Sequence, residues 1–452
     1  MQPLNEGHLK CASSEAYQAY LKHFLKESKN FEKVQGSFGV PIDTDPLADA
    51  KTNALRSQLL ALGARSRNDG KSLVWGPLSP ACARCRTGVK SVSEFISLAC
   101  TRSCWFCFNK NQHDFKDYRS AKKDWKKELA AYHQAMESLD FVALTGGEPL
   151  LYPQDTLEFF RTAKSMDPGV HGRLYTSGDG LTPALMKQLA EAGLTEIRFS
   201  VKLDDPAASQ EQTLSLIEQA TGIIPTVMVE MPVVPGTHDQ MIVLLQRLEA
   251  CGAFGINLLE LCFPLHNAAA YKARGFKLKA HPYRVLYDYG YAGALPVAGS
   301  EELALRLMLE EATRGTTLGL HYCSLENKNT AQMFNQNQGG QRTIPLYAFS
   351  HRSFFYETVR AFGLDAFTMA DALEAAGCAH ALDQDGAMVQ FSPADIAAVL
   401  PCAENVTLFL ASATIEHDEN GAARFREVDL RVIEPEDLPL LAQGFKAPLE
   451  ED

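Results

Sequence analysis

Cys100, Cys104 and Cys107 lie in the run Cys-Thr-Arg-Ser-Cys-Trp-Phe-Cys, a Cx3Cx2C spacing. Three thiolates cannot by themselves fill the four positions of a tetrahedral metal. They can bind three irons of a [4Fe-4S] cluster and leave the fourth open to a substrate or cofactor. Electron carriers normally close every position with cysteine, so an open corner argues for chemistry at iron. A partial zinc site and a chance grouping are the competing readings, and context weighs against both. The apolar run 93–99 predicts a buried strand that delivers the first cysteine. A second predicted strand, 140–145, runs directly into Gly146-Gly147-Glu148-Pro149.

Taken together, Cx3CxΦC with Phe106 as its aromatic and GGEP at the end of the next strand resemble the radical SAM superfamily. The shared core would cover residues 90–262. The resemblance implies that Cys100, Cys104 and Cys107 ligate a [4Fe-4S] cluster whose fourth iron is chelated by S-adenosylmethionine (SAM). Gly146 and Gly147 would let backbone approach the SAM amine closely. Pro149 would stiffen the turn, and Glu148 would anchor the loop or help receive the ammonium. Phe106 would offer its face to adenine, with a packed core aromatic as the alternative. Reduction of the cluster would cleave the sulfonium to a 5'-deoxyadenosyl radical, leaving the protein to orient substrate and exclude water. A reduced flavodoxin- or ferredoxin-type donor is the implied redox partner.

The elements that must position these residues alternate along the chain. Predicted strands at 173–176, 196–201, 224–234 and 255–261 are separated by predicted helices at 154–164, 183–192, 210–220 and 239–251. With the two earlier strands this makes six βα units and a parallel sheet. The fold class is therefore α/β, a partial (βα)6 barrel of radical SAM type. Chemistry in such folds sits at the carboxyl ends of the strands. That rule nominates Ser177 after the third strand, Ser200 and Lys202 after the fourth, and Glu230 in the fifth, as contacts to SAM or substrate. For each, a structural hydrogen bond is an equal alternative. Strict alternation puts Arg198, Ser200 and Lys202 on one side, a polar wall suited to anions if it faces the lumen.

A second constellation lies upstream. Cys82 and Cys85 form Cys-Ala-Arg-Cys after Pro77 and Pro80. A CxxC on a proline-bounded loop suits a zinc knuckle and needs two more ligands. Cys323, in His-Tyr-Cys-Ser, is the distant partner, with His321 or Cys262 as a fourth. An upstream CxxC with a late His-Tyr-Cys-Ser more loosely resembles proteins related to pyruvate formate-lyase activating enzyme. Three readings stay open: a structural second metal (Zn or Fe), an auxiliary iron–sulfur cluster, and packing or redox cysteines without metal. The first has a physical argument, since a clip closing so long a loop restricts the unfolded chain.

The four expected segments are a helical N-terminal extension with the CxxC loop (1–88), the barrel (89–262), a barrel extension (263–344) and a small α+β C-terminal domain (345–452). Tyr17, Tyr20, Leu21, Phe24 and Leu25 form a helical packing face. Tyr283, Tyr287, Tyr289 and Tyr291 are candidates for lining a cleft. Residues 406–416 and 424–433 alternate around Glu419-Asn420-Gly421, a hairpin signal. Cys378 and Cys402 read as buried thiols.

Composition fits an ordinary globular protein, with 46% apolar and 22% charged residues. The net charge of −12 argues against broad nucleic-acid binding. The basic run Lys116, Arg119, Lys122, Lys123, Lys126 and Lys127 reads as a solvated helix face. No run approaches the roughly 18–20 apolar residues of a membrane span. No signal-peptide pattern is visible, and 11 cysteines in such a chain point to the reducing cytoplasm. The expected activity is hydrogen abstraction from a protein or peptide. A small metabolite or tRNA substrate, methyl transfer included, is the alternative, as is a non-catalytic electron-transfer or metal-stabilised binding protein.

Overall fold

The computed structural model describes residues 1–280, 294–418 and 421–445. The four tyrosines between 283 and 291, and Glu419 and Asn420 of the hairpin tip, lie outside the described residues. The chain divides into two compact units.

The larger unit spans 38–329 in its described residues. Its strands are β1 (Arg65–Arg67), β2 (Ser72–Trp75), β3 (Ser91–Phe95), β4 (Phe141–Thr145), β5 (His171–Thr176), β6 (Leu194–Phe199), β7 (Thr226–Val233), β8 (Gly255–Glu260) and β9 (Gly319–Cys323). They form one sheet in the order β1-β2-β9-β8-β7-β6-β5-β4-β3. From β3 to β9 every neighbouring pair is parallel. The β1–β2 hairpin adds to β9 antiparallel. This is the expected open α/β barrel, with one more parallel strand than the six expected. The extra strand, β9, is five residues long and carries His321 and Cys323, within the segment expected as a barrel extension.

Its helices include α1 (Pro80–Arg84), α2 (Pro153–Met166), α3 (Pro183–Ala192), α4 (Ala207–Thr221), α5 (His238–Ala250) and α6 (Ser300–Arg314). Gly193 closes α3 at φ 107°, a left-handed cap that glycine adopts without strain. Leu174, Ile197, Val229, Ile256 and Leu320 on the strands pack with Phe159, Met186, Ile217, Met241 and Met308 of the helices. Each such buried side chain contributes on the order of 1.5–3 kcal/mol. Alternation then turns Arg173, Tyr175, Glu196, Arg198, Glu230, Asn257, His321 and Cys323 to the opposite, concave face. Register aligns Tyr175 with Arg198, and Glu230 with Asn257 and His321.

The second unit contains residues 1–37 together with the described residues from 330 onward. Its strands are β10 (Tyr356–Phe362), β11 (His380–Asp383), β12 (Met388–Phe391), β13 (Leu408–His417) and β14 (Ala423–Ile433). The antiparallel sheet runs β14-β13-β10-β12-β11; Gln2–Pro3 adds to the free edge of β14, and Ala348–Phe349 pairs with β10. The helix Glu15–Ser37 lays Leu21 and Phe24 on Phe362, Phe409 and Leu430. The structure therefore divides the chain differently from the expected segments. The N-terminal 37 residues belong to the C-terminal α+β unit, because its sheet supplies the apolar face that the amphipathic helix needs. Cys378 and Cys402 are half-buried.

Candidate active site

The two motifs meet backbone to backbone at the carboxyl ends of β3 and β4. Gly147 N donates to Ser97 O at 3.1 Å, and Glu148 N to Ala99 O at 2.8 Å. A Cβ on Gly147 would lie 1.8 Å from Ala99 O. Gly146 has φ 100°, and its Cβ would lie 2.5 Å from that of Phe95. Both glycines are thus required by the close approach of Phe95 and of the backbone of Ser97 and Ala99.

Glu148 is buried, and its carboxylate accepts four hydrogen bonds. They come from Leu150 N (3.1 Å), Thr176 Oγ1 (2.7 Å), Ser177 N (2.7 Å) and Ser177 Oγ (2.7 Å). Four donors fill the lone-pair sites of a carboxylate. Glu148 is therefore an anchor joining β4 to the end of β5, and Ser177 is bound to that anchor. Pro149 is buried and starts the following turn. Ser200 N ties the end of β6 to Thr176 O at 3.0 Å.

Arg102, inside the cysteine loop, clamps it to two neighbouring loops. Its guanidinium meets Asp179 at 2.8 and 2.6 Å and Asp205 at 2.5 Å. Trp105 donates to Asp204 at 2.9 Å, and Asn267 Nδ2 donates to Trp105 O at 3.0 Å. Sequence reasoning missed Arg102, Asp179 and Asp205. The signal was available: a charged residue within the loop, with acids just beyond the ends of β5 and β6.

Cys100 is exposed, and Cys104 and Cys107 are half-buried. Burial pushes the Cys104 thiol up to about 11, against the pull of the Lys202 charge, which also acts on Cys100. A cation beside two thiols suits an anionic cluster. A cavity of about 200 Å³ opens beside the loop, lined by Trp105, Phe106, Lys202, Asp204, Met231 and Gln240 among others. Aromatic faces beside Lys202 and Asp204 suit a flat polar base and its charged tail. The donor set therefore fits the group implied by the motifs: three thiols for iron, with an apolar cavity alongside. The three thiols of such a cluster bind different irons and need not converge on one point.

A second, denser group occupies the concave face. Arg198, whose side chain is 2% exposed, pairs with Glu196 and with Glu230 at 2.6 Å. Ser79 donates to Glu196 at 2.6 Å, and Asn257 Nδ2 to Glu230 at 2.6 Å. Glu230 is thus committed to Arg198 and Asn257. Burial acts to raise its carboxyl, but the Arg198 charge and the hydrogen bond from Asn257 leave it lowered. The Cys82 Sγ accepts from Arg198 Nη2 at 3.3 Å and Asn257 Nδ2 at 3.4 Å. Burial alone would raise the Cys82 thiol; the Arg198 charge and His321 together draw it down to about 6.

Cys85 and Cys323 lie close enough for their charges to act on each other and on Cys82. The strand register thus brings together Cys82, Cys85 and Cys323 across more than two hundred residues of chain. Cys262 instead lies within electrostatic reach of Cys107. Among the described residues no three His, Cys, Asp or Glu side chains converge as ligands of a single metal ion. The basic run is largely neutralised: Lys122 meets Asp155, Lys123 meets Glu94 and Glu128, and Lys126 meets Glu158. No helix among the described residues is long and apolar enough to cross a membrane.

Comparison with known families decides the class of the barrel. Residues 95–248 match the model of the radical SAM superfamily. The barrel is a radical SAM domain. The chain is also 29% identical over 265 residues to a putative glycyl-radical enzyme activating enzyme of Methanocaldococcus jannaschii, covering 57% of this chain and 66% of that relative. The chain thus spans just under two thirds of that relative's length. Among solved structures, Streptococcus suis SuiB bound to its precursor peptide SuiA is 15% identical, with a TM-score of 0.38 over 72% of this chain and 67% of the other. Escherichia coli coproporphyrinogen III oxidase HemN is 11% identical, with a TM-score of 0.35 over 64% of each chain. The cofactors of a radical SAM domain are a [4Fe-4S] cluster and S-adenosylmethionine.

Proposed function

We propose that this protein is a radical SAM enzyme that abstracts hydrogen from a protein or peptide, as an activating enzyme does. The observation that carries the chemistry is the locked junction between the cysteine loop and the GGEP turn, with Lys202 beside the thiols. Cys100, Cys104 and Cys107 would hold the cluster, and Phe106 and Lys202 would line the site of SAM. Bound there, the cluster and SAM supply the 5'-deoxyadenosyl radical. The chain's own residues do the rest. Arg102 fixes the loop through Asp179 and Asp205, Glu148 and Ser177 fix the ends of β4 and β5, and Trp105 walls the cavity. A non-catalytic electron carrier would need neither the glycine junction nor an open iron. The protein-substrate reading is supported by the likeness to the archaeal glycyl-radical enzyme activating enzyme. The electron donor would be a reduced flavodoxin- or ferredoxin-type protein.

A second reading has its own observation. The concave face carries Arg173, whose buried Nε makes no hydrogen bond among the described residues and could donate one to a small polar molecule. The test is anaerobic reconstitution with iron and sulfide, followed by dithionite and SAM. Formation of 5'-deoxyadenosine supports the radical reading, and its absence in protein holding about four irons sinks it. Co-expression with a glycyl-radical enzyme separates the substrates. A stable glycyl-radical doublet in the partner supports the protein reading; deoxyadenosine without that doublet favours the small molecule.

A further inference from the structure

The CxxC of α1 is not used by the radical chemistry, yet the fold builds a specific environment around it. Cys85 N donates to Cys82 O at 3.3 Å, closing one helical turn between the two residues. A single turn brings two Cα atoms within the roughly 4.4–6.8 Å that a disulfide spans. Cys82 faces three donors from three different strands: Arg198 of β6, Asn257 of β8 and His321 of β9. Hydrogen bonds from a guanidinium and an amide favour the thiolate over the thiol. Cys85 is exposed, whereas Cys323 is buried and accepts a hydrogen bond from Asn327 Nδ2 at 3.2 Å. A half-buried sulfur held by guanidinium and amide donors and an exposed sulfur, a turn apart, are the parts of a thiol–disulfide exchange site. A structural plug would need neither the charge partner nor the exposure.

We propose that Cys82 and Cys85 are a redox-active dithiol that closes to a disulfide on the concave face of the barrel. The oxidant is a low-molecular-weight disulfide. The Cys82 thiolate attacks one of its sulfurs, forming a mixed disulfide and releasing one small thiolate. Cys85 loses its proton and attacks the Cys82 sulfur, expelling the second small thiolate. Two electrons pass from the dithiol to the oxidant, and one proton is released. Closure removes the negative charge that faces Arg198, so Glu196 and Glu230 remain as its anionic partners. The redox state of the pair would thereby set the charge of the face that a substrate meets. This inference concerns a site separate from the cluster loop and stands independently of the proposed radical activity.

The test uses the full chain, reconstituted and equilibrated anaerobically in glutathione buffers of rising oxidised fraction. Acid quenching, differential alkylation and peptide mass spectrometry then read each cysteine. The expected result is loss of alkylation at Cys82 and Cys85 together, in one transition, at ratios where Cys251, Cys378 and Cys402 stay alkylated. In Cys85→Ser, Cys82 should accumulate as a glutathione adduct, since no second thiol resolves it. The proposal is overturned if Cys82 and Cys85 stay alkylated at the most oxidising ratio, or if Cys82 pairs with Cys323 instead. It is also overturned if Cys82→Ser and Cys323→Ser each remove the same equivalent of tightly held metal.

Discussion

At the rim of the barrel, backbone holds the cysteine loop: Gly147 N and Glu148 N bond to Ser97 O and Ala99 O with no room for a Cβ between them. On the concave face, side chains do the holding, with Arg198 shared by Glu196, Glu230 and Cys82. The first arrangement is sensitive to volume and the second to charge. Substitutions at the two places should therefore fail in different ways, the rim losing its cluster and the concave face losing its stability.

Arg198→Met should have the largest effect on stability. It leaves two carboxylates buried without their cation, at a cost of about 3–5 kcal/mol. A steep fall in Tm, with normal iron loading in the protein that remains folded, is the expected outcome. An unchanged Tm would break the comparison. Gly147→Ala should cost less, about 1–3 kcal/mol of overpacking. Its bound iron after reconstitution should nonetheless fall to a small fraction of wild type, because the added methyl pushes the cysteine loop away. Full loading would show that the junction does not position the cluster. Arg102→Ala comes next, at about 1–2 kcal/mol, since its ion pairs are partly solvated. Iron loading should drop several-fold. Arg102→Lys should recover part of it, a lysine being unable to reproduce the forked contact with Asp179 while also reaching Asp205.

The smallest effects are on pH dependence, and they differ in sign between the two units. Burial would raise the Glu196 carboxyl, but the Arg198 charge and hydrogen bonds from His171 and Ser79 hold it at about 2. Its stabilisation is complete above the ordinary value of 4.5 and is lost as pH falls through about 2. In the antiparallel unit, burial pushes Glu357 up to about 7 against the hydrogen bond of Ser353. That contribution is present below 4.5 and is lost as pH rises through about 7. Glu357→Gln should flatten Tm against pH across this upper window, and an unaltered slope there would contradict the assignment.

Legibility from sequence follows the same division. Cys100, Cys104, Cys107 and GGEP are local in sequence, and strands alternating with helices announced the parallel sheet. What escaped was set by distance. The N-terminal helix reads as amphipathic, but nothing local says that its partner is Phe409 and Leu430, near the other end of the chain. The seventh parallel strand is too short for its period to show. Its role emerges only when His321 falls in register with Asn257 and Glu230. Gly147 reads as a close-approach glycine, while the neighbour that demands it, Ala99, is set by the fold. Arg102 escaped because the acids it joins follow β5 and β6, about 77 and 103 residues on.

The central claim is that the three-cysteine loop holds a [4Fe-4S] cluster with one iron open to SAM. The most direct measurement is the electron paramagnetic resonance spectrum of the dithionite-reduced, reconstituted protein before and after SAM is added. The expected result is a [4Fe-4S] signal that changes shape on SAM addition and is absent from Cys104→Ala. A cluster signal indifferent to SAM, or one that survives in Cys104→Ala, would contradict it.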